Sequence, residues 1–206
     1  MTPVAAALLL LLALATPAFA HHVGAYTPRD NEITTNFKEI KFSVQARKFD
    51  VALRLFDEGA LRTALREKAA TLPAGLEGGT RAALQAGDAA EVERHLMIFF
   101  AALTRELALE ADRQLAAPGL SRPARAATAE RFLEAMWRYY NLVDFAVASR
   151  DNKSSTAVRL AFDEAEGYAK TTSASEADKL RDPLRRIAQL LSTLIDTSSA
   201  LPRRDS

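Results

Sequence analysis

The chain has 206 residues, with 27 lysines and arginines against 26 aspartates and glutamates, and it contains no cysteine. This near balance of charge argues against nucleic acid or an acidic membrane surface as the main partner. The lack of thiols excludes disulfides, iron–sulfur clusters, thiolate metal sites, covalently attached haem and cysteine nucleophiles. A chain of this length can still bury a substantial core by packing alone.

An apolar run from Val4 to Ala20 begins the chain and ends in the triplet AFA. It is short for a membrane-spanning helix, which needs roughly 20 apolar residues. Its leucine-rich centre and small-residue ending are typical of a secretory signal. We therefore expect residues 1–20 to be a signal peptide and the mature protein to be periplasmic or secreted, with no membrane span. The residues before the run carry no lysine or arginine, which leaves an uncleaved anchor as the alternative.

The remaining sequence predicts helices throughout, because apolar residues recur at helical spacing and the β-branched runs of strands are missing. We expect an all-α fold, an antiparallel bundle of about five or six helices over residues 31–199. A flexible arm at residues 21–30 would precede this domain, and a disordered tail at 200–206 would follow it.

Helix boundaries are predicted from caps and breakers. Asp30 or Asn31 caps a helix that runs to Lys48, and the next segment, Phe49–Leu72, is expected to kink or break at Gly59. A loop at 72–79 follows, and then a short helix that ends at Gly87. Later helices are expected to begin at Asp88, at Ser121, at Asp151 or Ser154 and near Leu180, with a polar linker at 171–178 before the last.

Three polar residues, His95, Glu106 and Glu110, fall within the apolar arc of the helix that Asp88 begins. An ionised carboxylate in a core is costly unless it is paired or metal-bound. Metal sites in helical bundles use such inward carboxylates, sometimes with histidine. These residues are therefore candidate metal ligands, although the ExxH spacing of di-iron bundles is absent. Alternatively, both glutamates form salt bridges with a neighbouring helix. The basic residues available for this are Lys41, Arg47 and Arg159.

The stretch WRYYNLVD contains a second group of candidates, Tyr139, Tyr140 and Asp144. A tyrosine–carboxylate cluster can hold ferric iron, so these are candidate cofactor-binding residues. The alternative is a hydrogen-bonded polar network in the core. Non-covalent haem is less favoured. It would need His95 with Met97 or Met136 as axial ligands, and methionine on an apolar stripe usually fills the core.

His21 and His22 directly follow the predicted cleavage site. Cleavage after Ala20 would make His21 the N-terminal residue, and its amine and imidazole can chelate one metal together. A further imidazole from His22 or His95 would complete a nitrogen-rich site, which favours Cu(II). The alternative is that the two histidines simply begin a flexible tail.

Sequence motifs of common enzymes are absent: there is no GxSxG, Walker A, GxGxxG or HExxH. We therefore expect an exported, non-catalytic protein that binds copper or iron for transport, storage or delivery. The alternative is an interaction module without cofactor, which docks to an envelope protein through an exposed helix face.

Overall fold

The structure, a computed structural model, describes residues 29–171 and 178–200. The part of the chain outside these ranges includes the predicted signal peptide at residues 1–20. It also includes residues 21–28, which contain His21 and His22, and residues 201–206. The described residues form eight α-helices and one short 3-10 turn, with no strand. The all-α prediction is confirmed. The helix count exceeds the expected five or six because Gly59 divides one predicted helix and the short helix before Gly87 is a separate element.

The helices are numbered here in chain order, and the 3-10 turn precedes the last of them. They are α1 (Glu32–Gln45), α2 (Phe49–Glu58), α3 (Ala60–Glu67), α4 (Leu76–Ala86), α5 (Ala89–Leu115), α6 (Arg122–Arg150), α7 (Asn152–Lys170) and α8 (Arg181–Ser199). None of the helices in the described ranges is both long and apolar enough to cross a bilayer.

Capping side chains begin the helices where the sequence predicts them. Asn31 begins α1 with a capping box: its Oδ1 accepts from the Thr34 amide at 2.9 Å, and Thr34 Oγ1 accepts from the Asn31 amide at 2.9 Å. Asp88 and Asp151 cap α5 and α7, and each accepts a hydrogen bond from a backbone amide at 3.0 Å. Ser121 caps α6 in the same way. Such caps satisfy amides that have no partner within the helix.

The four long helices form an antiparallel ring in which α5 and α7 each pack against both α6 and α8. Arg181, at the start of α8, binds Asp112 near the end of α5 at 2.6 Å. At the opposite ends, Arg94 of α5 donates to the Ser198 carbonyl of α8 at 2.5 Å. A single residue, Asp151, joins α6 to α7, so these helices also run in opposite directions.

The four short helices, α1 to α4, pack together, and α1 and α4 also contact α5. The predicted break at Gly59 is confirmed, and Asn36 of α1 spans it. Its side chain donates to the Leu55 carbonyl at 3.0 Å and accepts from the Leu61 amide at 3.1 Å. Asn36 therefore satisfies one backbone group at the end of α2 and another at the start of α3. A Cβ at Gly59 would collide with this side chain.

Helix α5 lies at the centre of the fold. Every residue from His95 to Thr104 is buried, as expected for a helix with apolar residues on all sides. From Arg105 onward, burial follows the helical period and one face meets solvent. The sequence predicts a single apolar stripe along this helix. That stripe underestimates burial in the middle of the helix and overestimates it in the second half. This difference determines the environment of the candidate ligands.

Candidate functional site

His95 lies on the buried part of α5 and faces α4. The residue is 7% exposed, and a Cβ added to Gly79 would be 2.8 Å from Cε1 of its ring. Nε2 lies 3.2 Å from Glu91 Oε1 and 2.9 Å from a guanidinium nitrogen of Arg94. Nε2 therefore lies within hydrogen-bonding distance of both side chains, and a metal at Nε2 would have to displace them.

Glu106 and Glu110 line a cavity of about 460 Å³ between α1, α3, α5 and α6, together with Tyr139. They are not core residues, because their side chains are 23% and 36% exposed. Glu106 accepts from Lys68 Nζ at 2.6 Å and also from the Thr71 hydroxyl. The expectation of two buried carboxylates is corrected: this stretch of α5 borders solvent.

Glu110 is held by its own helix. Arg113 donates to it at 2.8 and 2.5 Å, and Gln114 donates at 2.6 Å. These hydrogen bonds, that of Arg113 first, hold the pKa of Glu110 below its usual value. Both glutamates are therefore ion-paired, but their partners are Lys68 and Arg113.

The basic residues named from the sequence have other environments. Arg159 binds Asp144, and Lys41 lies over the Phe37 ring. Arg47 forms no ion pair within the described ranges. Proximity to an apolar stripe therefore did not identify the partners of the two glutamates.

The predicted ligands do not meet at one point. His95 and Glu106 are eleven residues apart on one helix, which places them about 16 Å apart along its axis. Within the described part of the chain, no three histidine, aspartate or glutamate side chains are grouped to hold a metal ion. Met97 and Met136 are fully buried in the core.

Tyr139 and Tyr140 face different neighbours, since adjacent residues lie about 100° apart around a helix. The Tyr139 hydroxyl accepts from Asn31 Nδ2 at 3.0 Å. Tyr140 is fully buried, and its ring lies beside those of Trp137 and Phe162. Tyr139 therefore does not share a site with Tyr140.

Asp144 is the centre of a satisfied polar network between α6 and α7. It accepts from the Ser155 hydroxyl and from Arg159 Nε, both at 3.0 Å, and from a second nitrogen of Arg159. The hydroxyl of Tyr140 is buried beside this network and forms no well-aligned hydrogen bond among the described residues. Burial, followed by the Asp144 carboxylate, raises the pKa of Tyr140 well above its usual range.

Sequence reasoning missed the ion pairs that join α5 to α8. Asp112 of α5 binds Arg181 at 2.6 Å and Arg185 at 3.2 Å, both on α8. Burial alone would raise the pKa of Asp112, but the hydrogen bonds from the two arginines outweigh it and leave the pKa below its usual value. Residues about 70 positions apart give no local signal of such contact.

Sequence reasoning also missed an apolar groove between α1, α5 and α6, which we call the α1–α5–α6 groove. It has a volume of about 300 Å³. Beside it, two aromatic side chains are directed to solvent: Phe42 is 68% exposed and Phe145 is 78% exposed. The other faces of both helices are buried in the core. Helical spacing alone therefore did not show that these two rings are exposed.

Comparison with protein-family models, with curated proteins and with solved structures found no match for this chain.

Proposed function

We propose that this protein is an exported, non-catalytic interaction module that docks to an envelope protein through the face bearing Phe42 and Phe145. The observation that carries the proposal is the exposure of these two rings, 68% and 78%. Export is inferred from the signal-like segment Val4–Ala20.

The two rings lie on the outer shoulders of the same groove. Phe42 and the groove residue Gln45 are three positions apart on α1, and so are Phe145 and the groove residue Leu142 on α6. Residues at this spacing are neighbours on a helix surface. A partner that covers the groove would therefore meet an aromatic ring on each side.

The area is appropriate for anchor residues. A buried aromatic side chain contributes roughly 150–250 Å². At 68% and 78% exposure, the two rings together would bury roughly 200–350 Å² on docking. One side of a stable interface buries roughly 800 Å². The rings would supply a large share of this area, and the groove and its rim would supply more.

A photo-crosslinking amino acid placed at Phe42 or Phe145 of the full chain, in the cells that produce it, tests this proposal. We expect both positions to give an adduct of the same mass. Leu160 is the matched control, because it is 61% exposed but lies on α7, away from the groove. Absence of adducts at the first two positions, or equal adducts at Leu160, would overturn the proposed docking.

The second candidate function is metal handling, as copper or iron transport, storage or delivery. The pair His21-His22 favours it, because the residues directly follow a cleavage pattern and would supply an amine and two imidazoles for copper. For iron, Glu106, Glu110 and Tyr139 line one cavity. Iron there would have to replace Lys68 and Arg113 as the partners of the carboxylates.

Native mass spectrometry of untagged protein, exported by its own signal and then supplied with copper or iron, tests this second candidate. A mature mass that begins at His21 with one metal, lost in His21→Ala, would support the copper site. Loss of iron in Glu110→Gln would support the cavity site. A chain that retains neither metal would exclude both sites and leave the interaction module.

A further inference from the structure

The α1–α5–α6 groove has an apolar floor that belongs to the core. Phe37, Leu96 and Val143 line it and are each less than 5% exposed. Val44 and Leu142 form the sides and are partly exposed. A concave apolar surface of about 300 Å³ lies at the small end of the range for small-molecule sites. It can take one apolar chain, but not a whole helix.

Two basic side chains lie at the rim of this groove. Lys41 and Arg47 line it, and neither forms an ion pair among the described residues. Ala89 and Ala90, which begin α5, line it as well, and the Asp88 side chain already caps this helix start by accepting from the Glu91 amide at 3.0 Å. Glu93 is the single lining carboxylate. The charged side chains that line the groove thus sum to one net positive charge.

Arg47 occupies a backbone position that normally selects glycine. It follows α1 with φ 57°, in the left-handed region. The Arg47 amide donates to the Val44 carbonyl at 3.0 Å, and the Lys48 amide donates to the Ser43 carbonyl at 2.8 Å. This is a Schellman motif, in which glycine avoids the strain that a side chain brings. A strained residue without an ion pair beside an apolar cleft points to a functional role.

We propose that the α1–α5–α6 groove binds an amphipathic anion, an unbranched acyl chain with a terminal carboxylate, and that Arg47 and Lys41 hold the carboxylate. The chain lies on Phe37, Leu96 and Leu142. A guanidinium can hold both carboxylate oxygens, whereas an ammonium acts as a point charge. This inference goes beyond the proposed docking of a protein and does not depend on it.

Dodecanoate is the probe, titrated into the full-length protein by calorimetry, with native mass spectrometry for the stoichiometry. We expect one dodecanoate per chain. Dodecyltrimethylammonium, with the same chain and the opposite charge, is expected to bind at least tenfold more weakly. From octanoate to dodecanoate, each methylene that enters the groove should strengthen binding by up to about fourfold, equivalent to ~0.8 kcal/mol.

Arg47→Gly distinguishes a loss of binding from a loss of stability, because it removes the charge and also relieves the backbone strain. We expect about tenfold weaker dodecanoate binding together with a higher urea midpoint. Lys41→Gln should weaken binding by about threefold. Ala90→Phe, an exposed position at the rim, should block the groove. Lys153→Ala, which removes an exposed charge on α7, is the matched control and should change affinity by less than twofold.

Three results would overturn the inference: no one-to-one complex with dodecanoate, equal affinity for the cationic analogue, or unchanged affinity in the Lys41→Gln, Arg47→Gly double variant. These results are distinguishable from failure of the proposed docking. The crosslinks at Phe42 and Phe145 report a protein partner, whereas dodecanoate binding is measured with the purified chain alone.

Discussion

Two adjacent glycines of α4, Gly78 and Gly79, should respond in opposite directions to the same substitution. Alanine is favoured over glycine inside a helix by about 1 kcal/mol. At Gly78 a new Cβ has nothing within 4 Å, so Gly78→Ala should raise the free energy of unfolding by up to about 1 kcal/mol.

At Gly79 the new Cβ would be 2.8 Å from Cε1 of the buried His95 ring. The ring cannot retreat freely, because Nε2 is held 2.9 Å from Arg94. Overpacking of this kind costs about 1–3 kcal/mol. After the gain in helix propensity, Gly79→Ala should be destabilising by about 1 kcal/mol, roughly 2 kcal/mol below Gly78→Ala.

Urea unfolding followed by circular dichroism measures both variants, and thermal unfolding should separate them by roughly 4–8 °C for a domain of this size. His95→Ala combined with Gly79→Ala should recover part of the loss, because the two residues are in contact. If Gly79→Ala stabilises the protein as much as Gly78→Ala does, the packing of α4 on His95 described above is wrong.

Three other predictions concern stability. Asn36→Ala leaves a carbonyl at the end of α2 and an amide at the start of α3 without their partner, so the free energy of unfolding should fall by about 1–3 kcal/mol; an unchanged urea midpoint would contradict this. Asp112 has a folded-state pKa below the ordinary 3.8, so its stabilising effect is present above that pH and is lost as the pH falls through the folded-state pKa. Asp112→Asn should therefore flatten the loss of melting temperature between pH 5 and pH 2, and a slope equal to that of the parent would contradict the pairing with α8. Tyr140→Phe removes a buried hydroxyl without a well-aligned hydrogen bond, so the free energy of unfolding should stay the same or rise by up to about 1 kcal/mol; a clear fall, measured in urea, would mean that the hydroxyl is bonded.

The helical class and most helix ends could be predicted from the sequence, because the interactions that determine them are local. The predicted loop at 72–79 is wrong in its second half, because α4 already begins at Leu76. The side chains of Asn31, Asp88 and Asp151 reach amides three residues along the chain, so each cap is visible in the sequence. The break at Gly59 could be predicted because the apolar stripes before and after it are out of phase. The side chain of Asn36, which stabilises the chain at that break, lies on another helix. Its contacts with the break could not be predicted from the stripes.

The candidate site depended on which helices meet, and that is a property of the tertiary structure. Helical periodicity placed Glu106 and His95 on the apolar side of α5, but it did not show that α5 is surrounded only in its middle. It also could not show that Lys68, 38 residues earlier, would be the partner of Glu106. The α1–α5–α6 groove likewise needs three helices from distant parts of the chain. Caps and periodicity act over one or two turns of helix, whereas ion pairs and cavities form only where packing brings separate helices together.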